Sequence, residues 1–283
     1  VTDTAIATIF AFLFGLCVGS FLNVCLSRWP QELSVVQPRS RCPQCGHQLA
    51  WFENIPVLSW VALRARCRSC HLPIPIIYPL AEIGVGLLWA ACFAAFGPTF
   101  TSLRLAVLFT ILTGVAITDL KHYLIPDGYT ITGLVFALLT AFAAPFLGDS
   151  LLFAGPYDAI VGACAGAGLI AIIGWLGEVA LKKEAMGMGD MTLMAFVGAV
   201  LGPTRVLATV FVAAAIGAVT FLVIVYPIAF ARRRRSTGQT ELALGSSTRL
   251  EMPLVPFGVF LAPAAGVMLL RGQELLAWYL LVG

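Results

Sequence analysis

The sequence predicts an all-α polytopic membrane protein: about eight transmembrane helices with a cysteine-rich loop on one side. Three observations predict it. Of the 283 residues, 60% are hydrophobic and 11% charged, against roughly 25% charged in soluble domains, and the mean hydropathy is +0.95. Apolar runs able to cross a hydrocarbon core about 30 Å thick recur along the chain. One polar interval, 28–75, interrupts them and holds four of the eight cysteines. The net charge of +3 is small. The arginines fall in loops beside the spans, where anionic lipid headgroups are their neighbours, so the bilayer is the expected partner and nucleic acid is not.

The first run, 4–25, is a span, and residues 1–27 form the first membrane segment. It has no basic flank before it and basic residues after it, so it is expected to stay in the membrane rather than be removed as a signal peptide. Residues 28–75 form the polar loop. Apolar runs then return at 76–96, 103–118, 129–146, 159–181, 191–201, 206–230 and from 253 to 270 or beyond, making 76–283 one membrane domain. Gly97-Pro98, Pro126-Asp127 and Gly202-Pro203 punctuate the runs. The run before Gly202 is short. From Met191 to Gly202 is twelve residues, about 18 Å of helix at 1.5 Å per residue, so either that helix starts earlier, near Met186, or Asp190 is recessed below the surface, and both favour a wet cavity. Gly15 and Gly19, four apart in the first span, suit close helix packing better than phosphate binding.

Lysine and arginine set the orientation. With Val1 outside, the inner loops hold Arg28, Arg39, Arg41, Arg64, Arg66, Arg68, Lys121, Lys182, Lys183, Arg232 to Arg235 and Arg249, fourteen of the seventeen basic residues. Only Arg104, Arg205 and Arg271 fall outside. The loop and both Asp119 and Asp190 are then cytoplasmic, while Asp149 and Asp158 lie on the other side. The run Arg232 to Arg235 reads as a topology anchor beside a span.

The loop carries Cys42-Pro43-Gln44-Cys45 and Cys67-Arg68-Ser69-Cys70. Two such pairs separated by 21 residues are spaced to grip one metal from two directions, and four thiolates complete the tetrahedron of a structural zinc site. Local redox pairs or disulfides are the alternatives, and a cytoplasmic loop disfavours stable disulfides. Cys17, Cys25, Cys92 and Cys164 lie in the spans and read as small buried side chains.

The second constellation is acidic. Gly187-Met188-Gly189-Asp190 opens the short apolar run, and Asp119 closes an earlier one. One carboxylate at a helix end is cheap among headgroups, and such a residue by itself marks only a boundary. Two from different helices at the same membrane face could share a proton and activate water. The same pair could serve a proton-coupled transporter as a relay, although that reading leaves the cysteine loop and the short helix without a reason. Asp127, after Pro126, is expected to cap the next helix. Glu82 is expected to pair with a loop arginine or to line a pocket.

Together these residues resemble the bacterial type IV prepilin peptidases, bifunctional leader peptidases and N-methyltransferases of the GxGD aspartic class. The resemblance covers nearly the whole chain. It runs through 15–24 with Arg28-Trp29-Pro30, the loop segments 39–46, 53–59 and 66–70, then Tyr78 to Glu82, Asp119 with 124–127, 187–190, and Val255 to Gly258. It implies Asp119 and Asp190 as the catalytic pair and Zn2+ on Cys42, Cys45, Cys67 and Cys70. It also implies an inner-membrane location, prepilin or pseudopilin substrates with a basic leader ending in glycine, and S-adenosylmethionine as methyl donor. Glu53 and Asn54, beside the cysteine pairs, are the candidates for contact with that donor. A peptidase without methylation is the variant reading, since some relatives lack the cysteine loop that this chain retains. Two departures stand out. Thr192 lies two residues after the second aspartate, where the family usually has lysine, and Ile77 precedes Tyr78-Pro79, where it often has arginine.

Overall fold

The computed structural model describes residues 2–148, 152–182, 186–227 and 256–282. Lys183, Asp149, Arg232 to Arg235, Arg249 and Val255 lie outside the described residues. The described chain is helical: α1 (Thr2–Arg28), α2 (Leu58–Ala62), α3 (Ile77–Phe96), α4 (Phe100–His122), α5 (Asp127–Leu147), α6 (Pro156–Leu181), α7 (Met188–Leu201), α8 (Pro203–Thr220) running into a π-helical turn, Phe221–Val225, and α9 (Gly258–Val282). Among the described residues, seven helices are long and apolar enough to cross a membrane, and the eighth apolar helix, α7, is shorter. The chain is a multi-pass membrane protein. Successive crossings bring the end of α1, the start of α3, the α4–α5 and α6–α7 turns and the start of α9 to the same end of the bundle as the loop.

The short helix is the centre of the packing. From Leu193 to Leu201 every residue of α7 is buried except Ala195, as expected of a helix that is apolar all round. It starts at Met188, three residues before the apolar run, yet its 14 residues still give only about 21 Å, too little to cross the core. Helix α6 lies against it with no side chain at the crossing, because a Cβ on Gly162 would strike the Gly198 carbonyl and one on Gly198 would strike that of Gly162. The same device joins α1 to α3, as expected from Gly15 and Gly19. A Cβ on Gly19 would lie 2.7 Å from the Glu82 Cα, and one on Gly15 2.9 Å from the Gly86 Cα.

Among the described residues three basic side chains, Arg104, Arg205 and Arg271, lie away from the loop end, and each is engaged locally. The Arg104 guanidinium sits 3.9 Å from the centre of the Phe153 ring. Arg205 donates to the carbonyls of Leu201 (2.8 Å) and Leu152 (2.7 Å). Arg271 pairs with Glu274.

Two expectations need correction. Asp127 is not a cap: Pro126 occupies the N-cap, no side chain caps the helix, and Asp127 is the first residue of α5 with its side chain exposed. There its charge faces the positive end of the helix dipole. Of the four cysteines in the spans, Cys25 and Cys92 are buried but Cys17 and Cys164 are exposed, because those faces of α1 and α6 have no described helix against them. The last span also differs in extent, beginning at Gly258 and running to Val282.

Candidate functional site

Asp119 lies in the last turn of α4 and is 5% exposed. Its carboxylate is held by a third helix: the Val259 N–H at the start of α9 donates to Oδ2 at 3.1 Å, and the Gly258 backbone contributes as well. The free N–H groups of a helix N-terminus are natural carboxylate ligands. Asp190 lies in the first turn of α7, half-buried, three residues after the N-cap Gly187, whose backbone hydrogen-bonds its carboxylate. The structure therefore places both aspartates at the loop end of the bundle, close enough for the charge of Asp119 to act on Asp190.

Ile125 joins the two halves of the site. A Cβ on Gly189 would lie 2.9 Å from the Ile125 Cβ, and one on Gly258 would lie 2.9 Å from its Cδ1 and 2.8 Å from Asp119 Oδ2. The missing side chains let α7 and α9 close on the α4–α5 turn from opposite sides. Gly187, by contrast, has open space around it, with the Asp190 Oδ2 at 4.0 Å from where its Cβ would be. Thr192 turns its hydroxyl to the Gly189 carbonyl at 3.1 Å. A cavity of about 210 Å³ opens beside this turn, lined by Ile170, Gly174, Trp175, Glu178, Met186 and Met191 among others. Sequence reading located both aspartates but missed Ile125 and Gly258 as the residues that set their approach; both lay inside segments, 124–127 and 255–258, that only the resemblance picked out.

In the loop the four cysteine sulfurs all lie within 4.8 Å of one another. Cys42 Sγ is 3.9 Å from Cys70 Sγ and Cys45 Sγ is 4.0 Å from Cys67 Sγ. A tetrahedron with Zn–S bonds of about 2.3 Å has edges of about 3.8 Å, so these residues fit a zinc ion. The two halves are copies of one turn, offset by 25 residues. Cys42 N–H donates to the His47 carbonyl and Cys67 N–H to that of Leu72, and Gly46 and His71 return to Cys42 and Cys67. Isolated bridges pair Arg41 with Gln48 and Arg66 with Pro73. Gly46 and His71, each following a CxxC, have φ of +72° and +57°. Backbone N–H groups of Cys70 and Ser69 hold the Cys67 thiol down to about 6, favouring the thiolate that binds metal.

Glu53 is buried, and its Oε2 accepts from the Ala50 N–H at 2.8 Å, with His47 Nε2 at 3.4 Å. These contacts hold its carboxyl below the usual carboxylate range, the Ala50 bond being the main cause. Asn54, the next residue, is exposed. Among the described residues Glu82 meets no arginine. Its Oε2 accepts from the Val57 N–H at 2.7 Å, and Ser20 of α1 bonds the same carboxylate. Asn23 of α1 donates to the Tyr78 carbonyl at 3.0 Å. These bonds tie the middle of the loop to the α1–α3 pair. Trp29, just after α1, meets Tyr129 edge-on at 4.3 Å and covers Gly128.

Fold and site together define a class: a multi-pass membrane protein with an aspartate pair and a four-cysteine loop at one end of the bundle. Residues 13–96 match the bacterial peptidase A24 N-terminal domain, and residues 106–222 match the type IV leader peptidase family. The second segment contains both aspartates. The prepilin leader peptidase/N-methyltransferase of Myxococcus xanthus (strain DK1622) is 41% identical over 235 residues, 83% of this chain and 68% of the relative. Those of Aeromonas hydrophila (33%, covering 95% of this chain and 92% of the relative) and Burkholderia pseudomallei strain 1026b (34%, covering 99% and 89%) align over nearly the whole chain. The chain belongs to the type IV leader peptidase family. No solved structure matches it.

Proposed function

We propose that this chain cleaves the basic leader from type IV prepilins and type II secretion pseudopilins after a glycine, and then methylates the new amino terminus from S-adenosylmethionine. The site is assigned to the cytoplasmic face of the bacterial inner membrane, with the N-terminus periplasmic. Family membership supports both activities. One observation carries the assignment of the peptidase site: Asp119 and Asp190, from helices that meet through Ile125, lie at the same end of the bundle.

Asp119 and Asp190 are assigned as the catalytic pair, one carboxyl protonated and one ionised. The ionised member takes a proton from water as the water oxygen attacks the scissile carbonyl, and the protonated member donates to the carbonyl oxygen. Collapse of the tetrahedral intermediate breaks the C–N bond, and the amine leaves with a proton. The Val259 N–H holds the Asp119 carboxylate in place for these transfers. The pilin's apolar helix stays in the bilayer, which brings its cytoplasmic end to the pair. S-adenosylmethionine, when bound, would supply the methyl group that the freed amine takes up with loss of a proton. The methyl donor is assigned to the loop, 28–75, with Glu53 and Asn54 at its contact. Cys42, Cys45, Cys67 and Cys70 would hold Zn2+, which closes the loop as a structural ion. Residues 1–27 and 76–283 supply the membrane scaffold and the aspartates.

The test is mass spectrometry of a prepilin after incubation with membranes containing each variant. Asp119→Asn and Asp190→Asn should each leave the leader uncut in a protein that still inserts, while Asp127→Asn, exposed and outside the pair, should cut. The parent product should carry a methyl group, adding about 14 Da at its terminus, and variants at Glu53 or Asn54 should give cut but under-methylated product. An active Asp119→Asn protein would overturn the assignment of the pair. Fully cut, unmethylated product from the parent with donor present would reduce the proposal to a peptidase.

A further inference from the structure

The loop between the cysteine pairs does not have the surface of a water-facing segment. Trp51 is 76% exposed, Leu58 68% and Val61 61%, and Phe52 and Ile55 are exposed beside them. Leu58 and Val61 are three apart on α2 and share a face. Runs of exposed large apolar residues mark a surface that something covers.

The position of this segment relative to the bilayer follows from its anchor. Val57, next to Leu58, donates its N–H to Glu82. Glu82 is the sixth residue of α3, about 8 Å along the helix from its start at 1.5 Å per residue. The neighbouring residues of that turn, Ile77 and Leu80, are themselves apolar and exposed on the outside of a membrane-length helix. The Val57–Glu82 bond therefore draws α2 down to the level of lipid-facing side chains. An element held beside the first turns of a membrane-length helix stands where interfacial elements lie, at the boundary between headgroups and acyl chains.

Charge selects the lipid. Residues 28–75 contain six arginines and two glutamates and no other charged side chain. Arg64, Arg66 and Arg68, directly after α2, are exposed. Arg68 lies over the Phe52 ring at 5.3 Å, so a guanidinium and an aromatic of the same segment stand together, as at a membrane interface.

We propose that 51–62 is an in-plane membrane seat: Leu58 and Val61 enter the acyl boundary of an anionic leaflet, and Arg64, Arg66 and Arg68 meet its headgroups. The seat fixes the cysteine loop flat on the membrane beside the helix ends instead of leaving it free in water.

The experiment uses the full-length protein in nanodiscs made with phosphatidylglycerol brominated on its acyl chains. Leu58→Trp adds one indole at the seat, and its emission is taken as the difference from the parent. Brominated lipid should remove most of that added emission, while acrylamide in the aqueous phase should leave most of it. Emission quenched by acrylamide and untouched by brominated lipid would overturn the seat, and emission protected from both would show instead that another protein surface covers it. Zinc content by elemental analysis reports whether the variant loop is folded. Should Leu58→Trp lose zinc, the same reading is made on the native Trp51 by difference from Trp51→Phe. Replacing Arg64, Arg66 and Arg68 together by Gln should weaken the lipid quenching at Leu58→Trp, and unchanged quenching would overturn the anionic part of the proposal.

Discussion

Gly258→Ala moves one oxygen of the proposed catalytic pair without removing any charge. The new Cβ would lie 2.8 Å from Asp119 Oδ2 and 3.2 Å from its Cγ. Ordinary contact begins near 3.4 Å, so the oxygen must retreat by about 0.6 Å. The carboxylate is the free end of a side chain and can swing, so the fold should survive. The swing stretches the 3.1 Å bond from the Val259 N–H, the contact that fixes where the carboxylate points. A misplacement of about 1 Å can cost on the order of a hundredfold in rate, so a shift near 0.6 Å should lower kcat by about tenfold to thirtyfold, with KM little changed. The assay is the initial rate of leader cleavage in membranes, read beside the thermal unfolding midpoint. Gly84→Ala, within α3, is the control: a Cβ there meets nothing within 4 Å, so the rate should be unchanged and the midpoint should not fall, alanine being the better helix former. A stably folded Gly258→Ala enzyme with the parent's kcat would refute the positioning role of the Asp119–Val259 contact. A rate loss matched by an equal loss of folded protein would refute it too.

Gly189→Ala should behave differently, because its Cβ meets the Ile125 Cβ at 2.9 Å and the Ile125 carbonyl oxygen at 3.0 Å. Backbone cannot swing aside, so α7 must shift, and cleavage should fall together with stability, by about 1–3 kcal/mol of overpacking; an unfolding midpoint equal to the parent's would contradict this. Purified protein should contain about one zinc per chain, as one four-thiolate site implies, and Cys42→Ser or Cys70→Ser should release it and open 28–75 to protease. Stoichiometric zinc after loss of two cysteines would rule out the four-cysteine site. Glu82→Ala leaves the half-buried Val57 N–H without its acceptor, at a cost of about 1 kcal/mol. The loop should become protease-sensitive while zinc stays bound, and an unchanged digestion pattern would show that the loop is held elsewhere.

The sequence by itself determined what lipid and metal chemistry demand of single segments. A hydrocarbon core requires about 20 apolar residues per crossing, so the seven long spans were legible from composition. Thiolates at CxxC spacing identify a tetrahedral site, and the cysteines stand at that geometry. A carboxylate is conspicuous at the end of an apolar run, which is why Asp119 and Asp190 could be picked out before their helices were known to meet. Tertiary structure decided the rest, for reasons that no local pattern carries. The partner of Glu82 is a backbone N–H, and every residue but proline has one, so Val57 left no mark in the sequence. The two cysteine turns repeat through backbone bonds while sharing little beyond Arg-Cys-x-x-Cys, so their 25-residue offset emerged only from hydrogen bonding. Whether a cysteine in a span is buried depends on which helix lies against that face, and among the described residues none lies against Cys17 or Cys164. The approach of Asp119 to Asp190 rests on Ile125 between Gly189 and Gly258, three residues far apart in the chain, because the distance between two helix ends is set by the side chains that are absent where the helices cross.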